Sequence, residues 1–256
     1  MTTATDPTFS RVPTCEETAG QGAVDLARAY GVPLDAWQED IVRGILRETG
    51  GTWSASQAGL VVGRQNGSGQ VLLALELYGL LVLGEQVLHT AHAVKTFSDA
   101  FRRLWAVMQT HDGPASSVRR HSQRIGAEYV ELVSGAWNAF TTRSASAGRG
   151  LAVDRLVVDE AEGLPAPEVG ALPPTVFSRP HAQSLYFGTA PGVMHDSGVV
   201  RRDPSVRARR AEPQVGLAEA PRRSGSAGHL DPTGAARPAY ICRTQRCDVQ
   251  LGSRCR

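Results

Sequence analysis

The chain has 256 residues, of which 41% are hydrophobic and 20% charged, enough to bury one full α/β core. This composition excludes a chain that is disordered throughout, and no apolar run approaches the roughly 20 residues that span a bilayer. The net charge of +2 is unevenly distributed, because residues 1–200 carry 15 basic and 20 acidic side chains whereas residues 201–256 carry 12 and 5. We therefore expect a cytoplasmic protein with no membrane span, in which these two parts differ in character.

The first part of the chain is predicted to begin with a flexible arm and two helices. Residues 1–20 are polar and form the arm, and an ordered domain follows over residues 21–200. Residues 23–30 form a short helix, and residues 37–47 form a second one whose apolar side chains share one face. Asp35 stands where it can cap the second helix.

A phosphate-binding unit is predicted next. Residues 58–62 are a short apolar strand, residues 63–69 (GRQNGSG) a loop of turn-forming residues, and residues 70–83 a helix that is apolar nearly all round. A loop between a strand and a buried helix directs successive backbone N–H groups, and the positive end of the helix dipole, at one anion. The unit therefore predicts a site for phosphate groups.

Strands continue to alternate with helices after this unit. Residues 87–91 are predicted as a strand and residues 94–109 as an amphipathic helix. Residues 129–133 and 137–141 alternate apolar and polar positions around a turn, which is typical of a hairpin. This order favours an α/β fold of three layers, with a mostly parallel sheet and an inserted hairpin.

The last two predicted strands carry the second half of the candidate site. Residues 155–159 form a buried strand that delivers Asp159 and Glu160, and residues 183–188 form the final strand. Ligands of open α/β sheets bind at the carboxyl ends of the strands, so these acids are expected beside the phosphate loop. Asp159 is then suited to hold Mg²⁺, and Glu160 to polarise an attacking water as general base.

Residues 201–256 are rich in Pro, Gly, Ala, Ser and Arg and show no apolar period. We expect them to form a basic, disordered tail without strands. A shifted reading frame or a premature truncation is one hypothesis for the abrupt change of composition. Translating the alternative frames tests it, and finding no domain-like continuation in either frame removes the idea.

The candidate phosphate loop departs from the standard pattern GxxxxGK[ST]. That pattern has a lysine at the position of Ser68 and a hydroxyl side chain at the position of Gly69. Lys95 is the only lysine of the chain and lies too far along it to be assumed as a substitute. Arg64, inside the loop, is the residue that can supply the missing charge, although a guanidinium is bulkier than an ammonium.

Other basic side chains admit two interpretations each. Arg143 and Arg149 lie in a Ser- and Gly-rich stretch, where they are either solvated loop residues or contacts to DNA phosphate or to a neighbouring subunit's nucleotide. His89 and His92 have the spacing of a metal pair but lack a Cys or acidic partner nearby in sequence. Ordinary structural roles are the simpler interpretation for both pairs.

Six segments in unbroken order resemble the ATPase half of the phage terminase large subunit, the motor that packages viral DNA. They are LDAWQEDIVRGIL at 34–46, GLVVGRQNGSG at 59–69, LHTAHAVKT at 88–96, SAGRG at 146–150, RLVVDEAEGL at 155–164 and YFGTAP at 186–191. The resemblance covers about residues 30–200. It implies a three-layer P-loop NTPase of the additional-strand, RecA-like class, with ATP and Mg²⁺ as cofactors.

The resemblance also implies a role for each candidate residue. Gln38 would contact adenine, and Thr189 would couple hydrolysis to movement. Asp159 would hold the magnesium ion and Glu160 would be the catalytic base. The phosphates would be bound by Arg64, Gln65, Asn66, Gly67, Ser68 and Gly69. Arg64 would also act as the catalytic cation.

The implied activity is ATP hydrolysis that drives double-stranded DNA into a procapsid, in the cytoplasm of the phage host. The implied partners are the terminase small subunit, the portal protein and further copies of the chain in a ring. Terminase large subunits continue into a nuclease domain, whereas residues 201–256 offer only scattered acids, so no nuclease activity is expected. The resemblance therefore implies a shortened motor subunit of bacteriophage or prophage origin.

The absent lysine predicts impaired hydrolysis, because one lost charge-assisted phosphate contact costs about 1.5–3 kcal/mol. The alternative function is a nonhydrolysing remnant that binds nucleotide or packs against other packaging proteins. A superfamily 2 helicase fragment shares the early Gln and the acidic pair. It is disfavoured because no second RecA-like domain follows.

Overall fold

The computed structural model describes residues 17–63, 65–143, 152–163, 179, 181–189 and 214–218. Arg64 and Arg149 lie outside the described residues, as do most of the predicted arm and most of the predicted tail. Within this range no helix is both long and apolar enough to cross a membrane.

The two predicted N-terminal helices are confirmed as Gly20–Ala29 (α1) and Ala36–Ile45 (α2). Helix α2 follows Asp35 as predicted, and the Asp35 N–H donates to Oε1 of Gln38 over 2.7 Å. The helix ends earlier than predicted because the next residues pair as strands. Those strands form a small antiparallel sheet of Glu17–Thr18 (β1), Arg47–Thr49 (β2) and Thr52–Trp53 (β3).

The predicted strand, loop and buried helix are Gln57–Val61 (β4), a loop, and Ser68–Tyr78 (α3). Helix α3 begins two residues before its predicted start, since Gly67 already takes the N-cap position. A π-helical turn, Gly79–Leu83, completes the apolar stretch. Side chains all round α3 are buried because the helix packs against α1 and α2 and against the helix that follows the next strand.

The middle of the chain contains one helix and the predicted hairpin. Gln86–Ala91 (β5) leads to Val94–Thr110 (α4) and a short helix, Asp112–Ser117 (α5). The hairpin is formed by Glu128–Leu132 (β7) and Trp137–Thr142 (β8), and Val118–Ser122 (β6) pairs with β7. Strand β6 was not predicted because its sequence, VRRHS, has no apolar alternation.

The last described elements are Arg155–Val158 (β9), a 3₁₀ turn at Ala161–Gly163, Gln183–Gly188 (β10) and Gln214–Ala218 (β11). Strand β11 lies in the region expected to be a tail without strands, so that expectation is wrong for these residues. It pairs antiparallel with β4. Backbone hydrogen bonding to an open sheet edge requires no apolar period, which is why the sequence does not reveal it.

Eight of the described strands form one sheet in the order β11-β4-β10-β9-β5-β8-β7-β6. The five central strands, from β4 to β8 in this order, are parallel to one another, and the outer strands at both ends pair antiparallel. The sheet thus confirms the predicted mostly parallel α/β fold with a hairpin. It also brings the carboxyl ends of β4, β9 and β10 to one edge.

Candidate functional site

The two halves of the candidate site lie at the same edge of the sheet. Strands β4 and β9 are both parallel to β10 and flank it, so a single strand separates them. In register, Val158 is level with Tyr186 on β10, and Val61 is level with Gly188. The loop that leaves β4 and the acids that follow β9 therefore start within two residues of each other along β10.

The loop between β4 and α3 has the backbone of an anion-binding turn. Gln65 and Gly67 both adopt positive φ angles, 62° and 86°, which turn successive peptide groups toward the same side. No side chain caps the first turn of α3, so its N–H groups face the loop opening. Gln65 and Asn66 are exposed, and Ser68 and Gly69 are half-buried. This arrangement suits a phosphate ligand.

Gln38 supports the loop from beneath. Its side chain is buried, and its Nε2 donates to the carbonyl oxygen of Gly67 over 3.0 Å. Its Oε1 accepts the Asp35 N–H, so the amide joins the start of α2 to the N-cap of α3. Contact with adenine, the role that the resemblance implies, stays a prediction. The observed contact is with the phosphate loop.

Asp159 follows β9 directly and is fixed by its backbone. Its N–H donates to the Thr90 carbonyl over 2.8 Å, and its Oδ1 accepts the Glu160 N–H over 2.9 Å. The side chain keeps 18% of its surface exposed, which leaves the carboxylate open to an ion or water. Burial raises the pKa of Asp159, and the neighbouring Glu160 and Glu76 add to this against the opposing effects of His89 and the Glu160 N–H.

A buried histidine lies behind Asp159. His89, on β5, has its Nδ1 2.6 Å from Oε1 of Glu76 and its Nε2 3.8 Å from Oδ2 of Asp159. Burial alone would lower the pKa of His89, but the charge and hydrogen bond of Glu76, together with the charge of Asp159, outweigh it, so the pKa is raised. The three side chains connect the phosphate-loop helix to the acid at the end of β9.

The position of Glu76 in the sequence is a signal that indicates a buried charged pair. Glu76 is the single charged residue in the apolar run LLALELYGLLVL, and a charge in a helix that is buried all round needs a buried partner. The metal-pair interpretation of His89 and His92 finds no support, because His89 bonds Glu76 while His92 is exposed. Among the described residues no three His, Cys, Asp or Glu side chains are grouped as a metal cage.

Glu160 has an unusual backbone and a fully engaged carboxylate. Its φ is 55°, which is sparsely populated for a residue with a side chain. Its Oε2 accepts the Ala93 N–H over 3.1 Å, and its Oε1 accepts the Thr96 hydroxyl over 2.7 Å. The carboxylate therefore sits at the N-terminus of α4, where the helix dipole favours negative charge.

Arg143 corrects one interpretation from the sequence. It is buried at the end of β8, not solvated, and its Nη1 and Nη2 donate to the carbonyl oxygens of Asp159 and Glu160 over 3.0 and 3.2 Å. A guanidinium matches two neighbouring carbonyls because its N–H groups have fixed spacing. A role in contacting DNA or another subunit is incompatible with this position, and Arg143 instead holds the backbone that presents both acids.

Thr189 is joined to the same turn by a residue that the sequence did not single out. Oε1 of Glu162 accepts the Thr189 hydroxyl over 2.8 Å, and Oε2 accepts the Thr189 N–H over 3.1 Å. A methyl group on Gly188 would lie 2.5 Å from Oε2 of Glu162 and 3.2 Å from the Ala161 nitrogen. The 3₁₀ turn after β9 is thus packed tightly against the end of β10.

No protein-family model and no curated protein matches this sequence. Among solved structures, the chain is similar to the large terminase of bacteriophage HK97, with a TM-score of 0.56 and 14% identity over 67% of this chain and 38% of that one. It is also similar to the ATPase domain of the Thermus phage P74-26 large terminase, with a TM-score of 0.50 and 20% identity over 66% of this chain and 69% of that one.

The chain has the fold of a phage large terminase ATPase domain. This finding confirms the resemblance and the fold class predicted from the sequence. The chain spans 38% of the length of the HK97 large terminase. At these identities the terminase likeness concerns the fold, so the roles of individual residues rest on the local geometry.

Proposed function

We propose that this chain is a terminase-like packaging ATPase that binds ATP with Mg²⁺ and uses hydrolysis to move double-stranded DNA. The main support is the position of the phosphate loop and the acidic pair, one strand apart at the carboxyl edge of a terminase-like sheet. Ligands of open α/β sheets bind at this edge. The positive φ angles of the loop and the exposed part of Asp159 support this proposal.

The residues present fit a magnesium ion. Asp159 offers one partly exposed carboxylate, and Mg²⁺ in nucleotide enzymes takes one or two carboxylates together with water and phosphate oxygens. When bound, the ion neutralises charge on the phosphates. The task of His89 and Glu76 is then to hold the Asp159 side chain in place from behind, while Arg143 holds its backbone.

Glu160 is proposed as the base that accepts a proton from the attacking water. To do so its carboxylate must exchange its bonds with Ala93 and Thr96 for a bond to water. Thr189, tied to the turn through Glu162, is proposed to transmit the state of the site to β10. The small subunit, the portal protein and a ring of identical subunits are the proposed partners, in the host cytoplasm.

A second candidate function is nucleotide binding without hydrolysis. Two observations favour it: Ser68 replaces the loop lysine, and both oxygens of Glu160 are already bonded to α4. Such a chain would still bind Mg·ATP at the same edge of the sheet. It would act through its nucleotide-bound surface and not through turnover.

Phosphate release from ATP separates the two functions. We expect the wild-type chain to release phosphate slowly in the presence of Mg²⁺, and Glu160→Gln to lower the rate about 10²–10⁴-fold, the usual contribution of a general base. Glu131→Gln, which alters an acid paired with Arg120 on the distant hairpin, is the matched control and should keep the wild-type rate. Mg·ATP binding without release by the wild type would contradict the ATPase and support the nonhydrolysing function.

A further inference from the structure

A cation from another element lies against the phosphate loop. Arg103 is an exposed residue of α4, the helix that packs beside α3. A methyl group placed on Gly69 would lie 2.5 Å from Nη1 and 2.9 Å from Nη2 of Arg103. The guanidinium therefore occupies the space beside the first turn of α3 where a standard phosphate loop has a hydroxyl side chain.

We propose that Arg103 supplies, from α4, the positive charge that a loop lysine gives to the bound polyphosphate in standard phosphate loops. The inference rests on the proposed function in one respect, namely that the ligand is a nucleoside di- or triphosphate. A guanidinium donates several N–H groups in a fixed plane and binds two phosphate oxygens at once.

The guanidinium of Arg103 is free to bind an anion. Among the described residues no hydrogen bond or ion pair engages it, whereas its neighbour Arg102 is paired with Asp99. Burial is the largest effect that lowers the pKa of His89, and the positive charge of Arg103 lowers it further, against the effect of Glu76. Arg103 thus lies beside the first turn of α3 with its guanidinium unpaired among the described residues.

The two departures of the loop from the standard pattern agree with this role. Ser68 removes the ammonium from the loop, and Gly69 removes the side chain that would collide with the Arg103 guanidinium. Lys95 lies eight residues before Arg103 on the same helix, about 12 Å along its axis, so it cannot occupy the same place. Arg64, the cation suggested by the sequence, lies outside the described residues.

Calorimetric titration with Mg·ATP and with AMP tests the proposal. We expect Arg103→Ala to weaken Mg·ATP binding about 10- to 100-fold, the usual effect of losing a charge-assisted phosphate contact, and to weaken AMP binding far less. Arg103→Lys should restore part of the loss. Arg102→Ala is the matched control from the next position of the helix and should bind Mg·ATP as the wild type does. Because Arg103 is exposed, its variants should keep the wild-type Tm to within about 2 °C.

Adding the lysine back gives a second, independent test. Ser68→Lys should strengthen Mg·ATP binding clearly in the Arg103→Ala chain and only slightly in the wild type, since two cations that serve one phosphate are not additive. Equal Mg·ATP affinity of Arg103→Ala and the wild type would overturn the role of Arg103 and leave the proposed function intact. Failure of the wild-type chain to bind Mg·ATP would overturn both.

Discussion

His89 is the centre of a buried chain of three ionisable side chains. It has no exposed surface, its Nδ1 bonds Glu76, and its Nε2 faces Asp159 without a hydrogen-bond partner among the described residues. An imidazole in this position stabilises two carboxylates that burial would otherwise penalise. The Asp159 carboxylate is also held by the Glu160 N–H, which donates to its Oδ1.

Replacing His89 with Leu should lower the free energy of unfolding by about 3–5 kcal/mol near pH 6, because it leaves Glu76 buried without its partner. The folded-state pKa of His89 is raised above 6.5. Its charged form therefore contributes fully below pH 6.5, and the contribution is lost as pH rises through the folded-state pKa. We expect the stability difference between wild type and variant, measured by urea unfolding, to be smaller at pH 9 than at pH 6.

His92→Ala is the control for this experiment, since His92 is exposed three residues further along and should change stability by no more than about 0.5 kcal/mol. A difference between wild type and His89→Leu that stays constant from pH 6 to pH 9 would show that His89 contributes packing alone.

At the scale of secondary-structure elements, three neighbours fix the turn that follows β9. Arg143 at the end of β8 binds two of its carbonyls, Glu160 binds the start of α4, and Glu162 binds Thr189 at the end of β10. The positive φ of Glu160 costs about 1–3 kcal/mol for a residue with a side chain. These contacts therefore hold the backbone in that conformation. A shift of any of these elements would therefore change the positions of Asp159 and Glu160.

Gly188→Ala should lower the free energy of unfolding by about 1–3 kcal/mol through overpacking of this turn. The added methyl group would meet Glu162 Oε2 and the backbone nitrogens of Ala161 and Glu162, which cannot move independently. Gly113→Ala is a matched control, because the nearest atom to its new methyl group, the Tyr30 hydroxyl oxygen, is 4.0 Å away. Urea midpoints measure both. Wild-type stability of Gly188→Ala would contradict the close packing of the turn on β10.

The buried elements of this fold were predictable to within one or two residues. Strands β4, β5, β9 and β10 appear in the sequence as short apolar runs, because parallel strands covered on both faces are apolar throughout. Strand β6 could not be predicted, since its exposed arginines form a strand only by pairing with β7. Strand β11 is defined by its backbone pairing with β4, which its short sequence does not indicate.

The candidate site was predictable only where one segment of sequence carries its chemistry. Asp159 and Glu160 follow an apolar strand, so their place at the sheet edge follows from the pattern. Arg143 was misassigned because a Ser- and Gly-rich stretch begins directly after it, whereas β8 extends to Thr142 and holds its side chain inside. Arg103 and His89 act on partners in other elements, and such pairings depend on the tertiary packing.

For the whole molecule, the order of strands carries the functional argument. A strand between β4 and β9 separates the phosphate loop from the acidic pair by the width of one strand and leaves both at one edge. The solved terminase structures share this overall fold at 14–20% identity. We therefore propose that one triphosphate and one magnesium ion bind between the turn at residues 65–69 and Asp159.

A crystal structure of the chain with Mg²⁺ and ATP-γ-S tests this claim most directly. We predict that the phosphates accept hydrogen bonds from the N–H groups at the start of α3 and that the Mg²⁺ ion lies beside the Asp159 carboxylate. Nucleotide bound anywhere else on the molecule would contradict it. So would phosphates that make no hydrogen bond to the loop while the Mg²⁺ ion lies away from the Asp159 carboxylate.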